Sequence, residues 1–164
     1  MEQQIRSKAI CNKPTLENSV HYIAHTFSFL MTSDDTDGAF SLMHCHFRKG
    51  FMAPPHYHKL EDESFYILEG EFDFHVGDQR FTAGAGQFVF LPRNIPHHFT
   101  LLSDTAKALL HISPAGFEIF FKEFGRPAQT LDLPPVPTEN PRVEMFQKMH
   151  DRMIELGNVF IPEI

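Results

Sequence analysis

His56 and His58 stand two residues apart in the stretch GFMAPPHYHKLEDESFYILEG. In an extended chain, residues two apart face the same side, so both imidazoles can address one point. Two imidazoles are half of a metal site. Glu63 follows five residues after His58, an odd offset that would put it on the opposite face of an unbroken strand. The polar segment from Lys59 to Asp62 must therefore turn if Glu63 is to join them. Phe65 and Ile67 share the parity of Glu63, which places this carboxylate on a strand face that looks into an apolar interior, while Glu61 and Asp62 are assigned to solvent. A carboxylate so placed costs several kcal/mol unless it is paired or coordinated. A divalent cation removes that cost and takes the imidazoles in their neutral form. A fourth donor, His97, follows the corner Leu91-Pro92-Arg93-Asn94-Ile95-Pro96 and is expected to point inward with Phe99 and Leu101, leaving His98 outward.

Three His and one Glu without a thiolate suit a borderline divalent ion, and four protein donors leave one or two coordination positions open, the mark of a catalytic rather than a closed structural site. The other histidines give weaker signals. His44 and His46 share a strand face but have no matching carboxylate, so they are placed on a surface or a subunit contact. Cys45, of opposite parity, reads as a buried small side chain. Tyr57 points away from the ligands, and His21, His25, His75, His111 and His150 are given no function.

The elements that must position these residues are short strands. Val20 to Thr32 is rich in β-formers, the turn-forming Ser33–Gly38 follows, and a second such run spans Ala39 to Phe47; these read as a pair of strands. The pattern continues through Ser64–Leu68, Phe72–Val76, Gln79–Thr82, Gln87–Leu91, His97–Leu102 and Ala106–Ile112, each bounded by Gly, Pro, Asp or Asn. So many short, evenly punctuated strands predict an all-β closed barrel or sandwich. Gly77-Asp78 is a two-residue hairpin signal, because Gly supplies the positive φ of a type II′ turn. After Ile112 the period changes. Phe117, Phe120, Phe121 and Phe124 recur at helical spacing, with Ser113 as N-cap, Pro114 in the first turn and Gly125 past the end. A proline-rich connector leads to a second helix capped by Asn140-Pro141 and running to about Leu156. Its stripe of Val143, Phe146, Met149, Met153 and Leu156 is expected to pack against the barrel or a partner subunit.

Composition bounds the rest. One domain fits 164 residues, and 14 basic against 21 acidic side chains give a formal charge of −7. With no Lys/Arg cluster, no nucleic acid is expected as a partner. No apolar run approaches the ~20 residues of a membrane span, so no membrane partner is expected. Cys11 and Cys45 cannot make a disulfide framework, and the N-terminus has no apolar signal core; both point to a reduced, cytoplasmic compartment. The chain divides into an arm over residues 1–19, a barrel with its following helix over 20–126, and a connector with a C-terminal helix over 127–164.

Gly50, His56, His58, Glu63 and Gly70, with Gly86, Pro92 and His97, resemble the two signature motifs of the cupin superfamily. Asn94 stands where that family usually has Gly, a mild departure since Asn tolerates left-handed backbone, and Leu101 stands where Asn is typical. The phrases EDESFYILEGEFDF, FVFLPRNIPHHF and SPAGFEIFFKEFG resemble single-domain quercetin 2,3-dioxygenase-like members. The resemblance implies a double-stranded β-helix, or jelly-roll, barrel with helices packed outside. It also implies one divalent transition metal (Fe, Mn, Ni, Co, Cu or Zn) held by His56, His58, Glu63 and His97, and a homodimer. Glu63 is then both ligand and general base, and Phe47, Phe65 and Phe99 are candidates for the wall of a pocket for a small-molecule substrate. Phe72, Phe74, Phe88 and Phe90 are further candidates among which strand parity selects. The expected activity is dioxygenase-like, on a phenolic or enolic compound. Two alternatives stand beside it: a metal-dependent isomerase or lyase, and a non-catalytic cupin that binds a metal or small molecule.

Overall fold

Alternating burial along the strands builds the fold of the computed structural model, which describes residues 9–138 and 143–161. In β3 (Ser41–Arg48), Met43, Cys45 and Phe47 are buried while His44 and His46 lie half-buried on the outer face. In β10 (Thr105–Ser113), Ala106, Ala108, Leu110 and Ile112 turn inward in the same way. These two strands pair along their whole length, and β10 also pairs with β5 (Asp62–Glu69). With β1 (Ser19–Tyr22), β2 (His25–Met31), β8 (Phe88–Leu91) and β11 (Arg126–Pro127) they form a seven-stranded sheet in the order β11-β1-β2-β3-β10-β5-β8. The second sheet contains β4 (His56–His58), β6 (Glu71–Val76), β7 (Gln79–Gly84), β9 (His97–Leu101) and β12 (Asn158–Phe160), in the order β12-β4-β9-β6-β7. Every ladder is antiparallel. The two sheets share one core, so the molecule is an all-β jelly roll. No ladder joins the sheets into a closed barrel among the described residues.

Phenylalanine fills the space between the sheets. Phe65, Phe72 and Phe74 are almost fully buried, with Phe65 and Phe99 5.2 Å apart and Phe72 stacked on Phe74 at 5.5 Å. Each such ring pair adds about 0.5–1.5 kcal/mol beyond the area it buries.

Several local expectations are corrected. Val20 to Thr32 is not one strand but the hairpin β1–β2, turning at Ile23 with φ 54°; a β-branched residue in left-handed backbone leaves no turn signature in sequence. Ser33–Gly38 contains a helical turn, α1 (Ser33–Thr36), opened by Thr32, whose N–H and hydroxyl both donate to Asp35 Oδ2 at 2.9 Å. The Phe-rich helix α2 spans Glu118–Phe124, so it begins later than a Ser113 cap predicts. Ser113 instead ends β10 and donates its hydroxyl to the Ala39 carbonyl at 3.0 Å. At the start of α2 the buried Glu118 carboxylate accepts N–H bonds from Ser33 and Gly116, both at 2.7 Å. The Asn140-Pro141 cap lies outside the described residues. The helix beyond it, α3 (Val143–Glu155), packs Met149 and Met153 against the core, while Val143 at its start is 85% exposed. After Gly157 the chain adds β12, which the sequence pattern did not reveal, to the free edge of β4.

The turn from β5 to β6 leaves no room for a side chain at Gly70. Gly70 has φ 84°, and a Cβ placed there would meet the Thr105 carbonyl oxygen at 2.6 Å and the Ala106 Cβ at 2.7 Å. Gly50 has a similar φ of 89° with open space around it. Gly70→Ala should therefore lose more than the ~1–3 kcal/mol that left-handed backbone alone costs a side chain, and Gly50→Ala no more than that. Urea unfolding of the two variants reads the difference; equal losses would contradict this account of the turn.

Candidate metal centre

The strand β4 carries His56 and His58 on its inner face because they are two residues apart, and His56 pairs across the ladder with His97, the first residue of β9. The corner before His97 is tied down on both sides. Asn94, at φ 62°, donates its N–H to the His58 carbonyl at 2.8 Å. Arg93 grips Asp62 through its backbone N–H, Nε and Nη2 at 2.8, 3.1 and 2.7 Å, and this guanidinium holds the Asp62 carboxyl below the usual carboxylate range. Because Asp62 opens β5, that clamp also sets Glu63, which reaches the site from the opposite sheet.

One ligand atom from each of His56, His58, Glu63 and His97 lies within 4.8 Å of the others, and all four residues are buried. His56 Nδ1 stands 2.8 Å from the Pro54 carbonyl and His97 Nδ1 3.0 Å from that of Ile95. A carbonyl can only accept, so each Nδ1 carries the proton and each Nε2 presents a lone pair. Glu63 Oε2 lies 3.3 Å from His97 Nε2 and 3.7 Å from His58 Nε2, and neither nitrogen has a hydrogen-bond partner among the described residues. Lone pairs thus converge with no proton between His97 and Glu63, an arrangement that a cation relieves. The donor set and its orphaned nitrogens fit a divalent metal ion.

The buried groups of the cluster shift one another's protonation. Burial pushes the His56 pKa down to about 4, with the neighbouring His58 and His97 adding to the effect against the Glu63 charge. Burial pushes Glu63 up, but the three imidazoles outweigh it and its pKa is lowered. Burial also acts to lower His58, where the Glu61 and Glu63 carboxylates prevail and raise it.

The cluster lies against a cavity of about 470 Å³. Phe47, Phe65 and Phe99 line it, whereas Phe72 and Phe74 pack in the core away from it. Phe88 and Phe90 are on the outer face of β8 and are 64% and 52% exposed, since Val89 and Leu91 take the inward parity. Glu61 departs from the solvent position expected of it: it is buried, with Oε2 3.7 Å from His58 Nδ1. Its neighbour Asp62 is the one of the pair turned outward. His98 stacks on His75 at 4.4 Å, and Tyr57 is partly exposed beside Val159.

The residues missed in the sequence lie on the rest of the cavity wall. Phe146, Met149, His150 and Met153 of α3 and Phe160 of β12 line it, so the apolar stripe of α3 covers the cavity as well as the core. His25 is also there; its Nε2 donates to the Phe51 carbonyl at 2.9 Å and its Nδ1 accepts the Arg48 N–H at 3.2 Å. An imidazole at the start of a strand with Phe27 and Phe29 inside was the available signal.

The family model for a cupin domain matches residues 43–113, which contain all four clustered residues. That stretch is similar to a cupin domain. Over 93 residues the chain is 33% identical to quercetin 2,3-dioxygenase of Bacillus subtilis, a stretch that covers 57% of this chain and 28% of that enzyme. The chain thus spans well under a third of that relative. Its fold is similar to that of Streptomyces Pac13, a nucleoside dehydratase, with a TM-score of 0.53 at 16% identity over 74% of this chain and 94% of the other. It is similar also to KdgF from Halomonas sp., with a TM-score of 0.52 at 16% identity over 58% and 84%.

His25 makes the metal-free protein sensitive to acid. Burial lowers its pKa to about 4, below the ~6.5 of an unfolded chain. Between those values the unfolded chain binds a proton that the native imidazole refuses, so stability is complete above about pH 6.5 and declines as pH falls toward 4. With chelator present, His25→Gln should remove about 2 kcal/mol of the stability lost between pH 6.5 and 4.5, measured by urea unfolding at the two pH values. An undiminished loss in the variant would contradict this burial of His25.

Proposed function

We propose that this cupin is a metal-dependent oxidoreductase of the dioxygenase type, with His56, His58, Glu63 and His97 as the metal ligands and a small phenolic or enolic compound as substrate. The observation that carries the reading is the convergence of four buried donors with unsatisfied nitrogens on an apolar cavity large enough for a small organic molecule. The identity to quercetin 2,3-dioxygenase over the aligned stretch supports the reaction class, and the Phe47, Phe65 and Phe99 wall supports an aromatic or otherwise apolar guest. A bound divalent transition metal supplies a Lewis acid for the substrate oxygen and a meeting point for O2.

The chain's own residues do the rest. The aromatic wall and the α3 side chains exclude water and orient the ring of the substrate toward the cluster. Glu63 Oε2 faces the imidazoles, leaving Oε1 to take the proton of the substrate hydroxyl. The Pro54 and Ile95 carbonyls hold His56 and His97 in the tautomer that presents Nε2 inward.

Oxygen uptake by protein loaded separately with Fe, Mn, Co, Ni, Cu or Zn, against a panel of flavonols and β-diketones, tests this reading. Uptake coupled to substrate loss is expected with at least one metal. Glu63→Gln and His97→Ala should each lose most bound metal and about 10²-fold or more in rate, while their unfolding temperatures stay near that of the metal-free parent. Turnover without oxygen uptake would replace the dioxygenase by an isomerase or lyase, and binding without turnover would leave a non-catalytic cupin. Full metal occupancy in His97→Ala would move that ligand role to His98.

A further inference from the structure

His58 differs from the other two histidines in how its Nδ1 is treated. His56 and His97 each have a backbone carbonyl two residues earlier to accept the Nδ1 proton. His58 has none, and its Nδ1 is buried without a hydrogen-bond partner among the described residues. Two further side chains beside it share that condition. Glu61 is 4% exposed and its Oε2, 3.7 Å from His58 Nδ1, is unpaired. Asn158 is 1% exposed, and both its Oδ1 and its Nδ2 are unpaired.

The ladder explains why these three belong together. Asn158 is the direct partner of His58 in the β12–β4 pairing, so its side chain leaves the sheet on the same face as the imidazole, with Cβ atoms about 5 Å apart. The strand is fixed there by the Lys59 N–H, which donates to the Gly157 carbonyl at 2.9 Å. A buried polar atom left unpaired costs about 1–3 kcal/mol, so pairing among these side chains is favoured wherever a donor meets an acceptor. The inventory of donors allows it: His58 Nδ1–H and Asn158 Nδ2–H can both donate to the Glu61 carboxylate, which accepts only.

We propose that Glu61 and Asn158 are positioning residues of the metal centre, joined in a hydrogen-bonded relay that orients the His58 ring and keeps its Nε2 lone pair on the ion. This rests on the metal reading of the site. It makes β12, which lies beyond residues 43–113 of the cupin match, a working part of the centre rather than an appendage. The C-terminal segment then both covers the cavity and sets the basicity of one ligand.

Co2+ binding to the full-length protein tests the relay without substrate or turnover. Its affinity is measured by chelator competition and its visible absorption reports ligand geometry. Glu61→Gln and Asn158→Leu should each weaken Co2+ binding about 10–100-fold and shift the absorption bands, and the double variant should lose little more than the worse single one, because both act through one ring. Asn158→Ser carries the same expectation if leucine disturbs the strand. Folded variants with wild-type affinity, weaker binding with an unaltered spectrum, or losses that multiply in the double variant would each overturn the relay. A wild-type protein without Co2+ affinity would instead overturn the metal reading itself.

Discussion

A carboxylate enclosed by three imidazoles inside an aromatic shell is a charge that water barely reaches. Removing such a group from water carries a penalty of several kcal/mol even after relaxation. Here the imidazoles cannot meet it by donating, since at least two of them spend their ring proton on a backbone carbonyl and turn a lone pair toward the acid. Two acceptors facing each other at 3.3 Å, as His97 Nε2 and Glu63 Oε2 do, leave a positive ion as the natural third party. The rest of the molecule is organised around keeping those groups in place.

That task is divided between the two sheets and the C-terminal segment. One sheet presents His56, His58 and His97, the other presents Glu63, and the Arg93–Asp62 clamp links the corner of the first to the opening strand of the second. The phenylalanine core packs the two sheets against each other, with contacts such as Phe65–Phe99 bridging them. The helix α3 and strand β12 lie outside the residues that match the cupin family, yet they line the cavity beside the cluster. The four clustered residues thus lie within the matched stretch, and part of the wall of the space over them comes from residues beyond it. No helix among the described residues is long and apolar enough to cross a membrane.

What could be read in the sequence was local and periodic. The period of two placed His56 with His58 and Glu63 with Phe65, and the proline corner placed His97 at the start of a strand. These inferences need only one strand at a time. Glu61 escaped because the turn between β4 and β5 breaks the parity on which such inferences depend, and two adjacent acids gave no sign which would be buried. The β1–β2 hairpin escaped because Ile23 turns without glycine or asparagine. Asn158 and His25 escaped for another reason: their burial is created by partners far along the chain, His58 across a ladder and Phe51 across a loop. The α3 stripe was visible as apolar, but whether an apolar stripe covers a core or a cavity is decided by what lies beneath it.

Anomalous diffraction from crystals of the purified protein, collected across the absorption edges of the first-row transition metals, tests the central claim most directly. The account predicts a single strong anomalous peak about 2.0–2.2 Å from Nε2 of His56, His58 and His97 and from a Glu63 carboxylate oxygen. Crystals that show no anomalous scatterer there after soaking in each metal, with the four side chains turned apart or bridged by water alone, would contradict it.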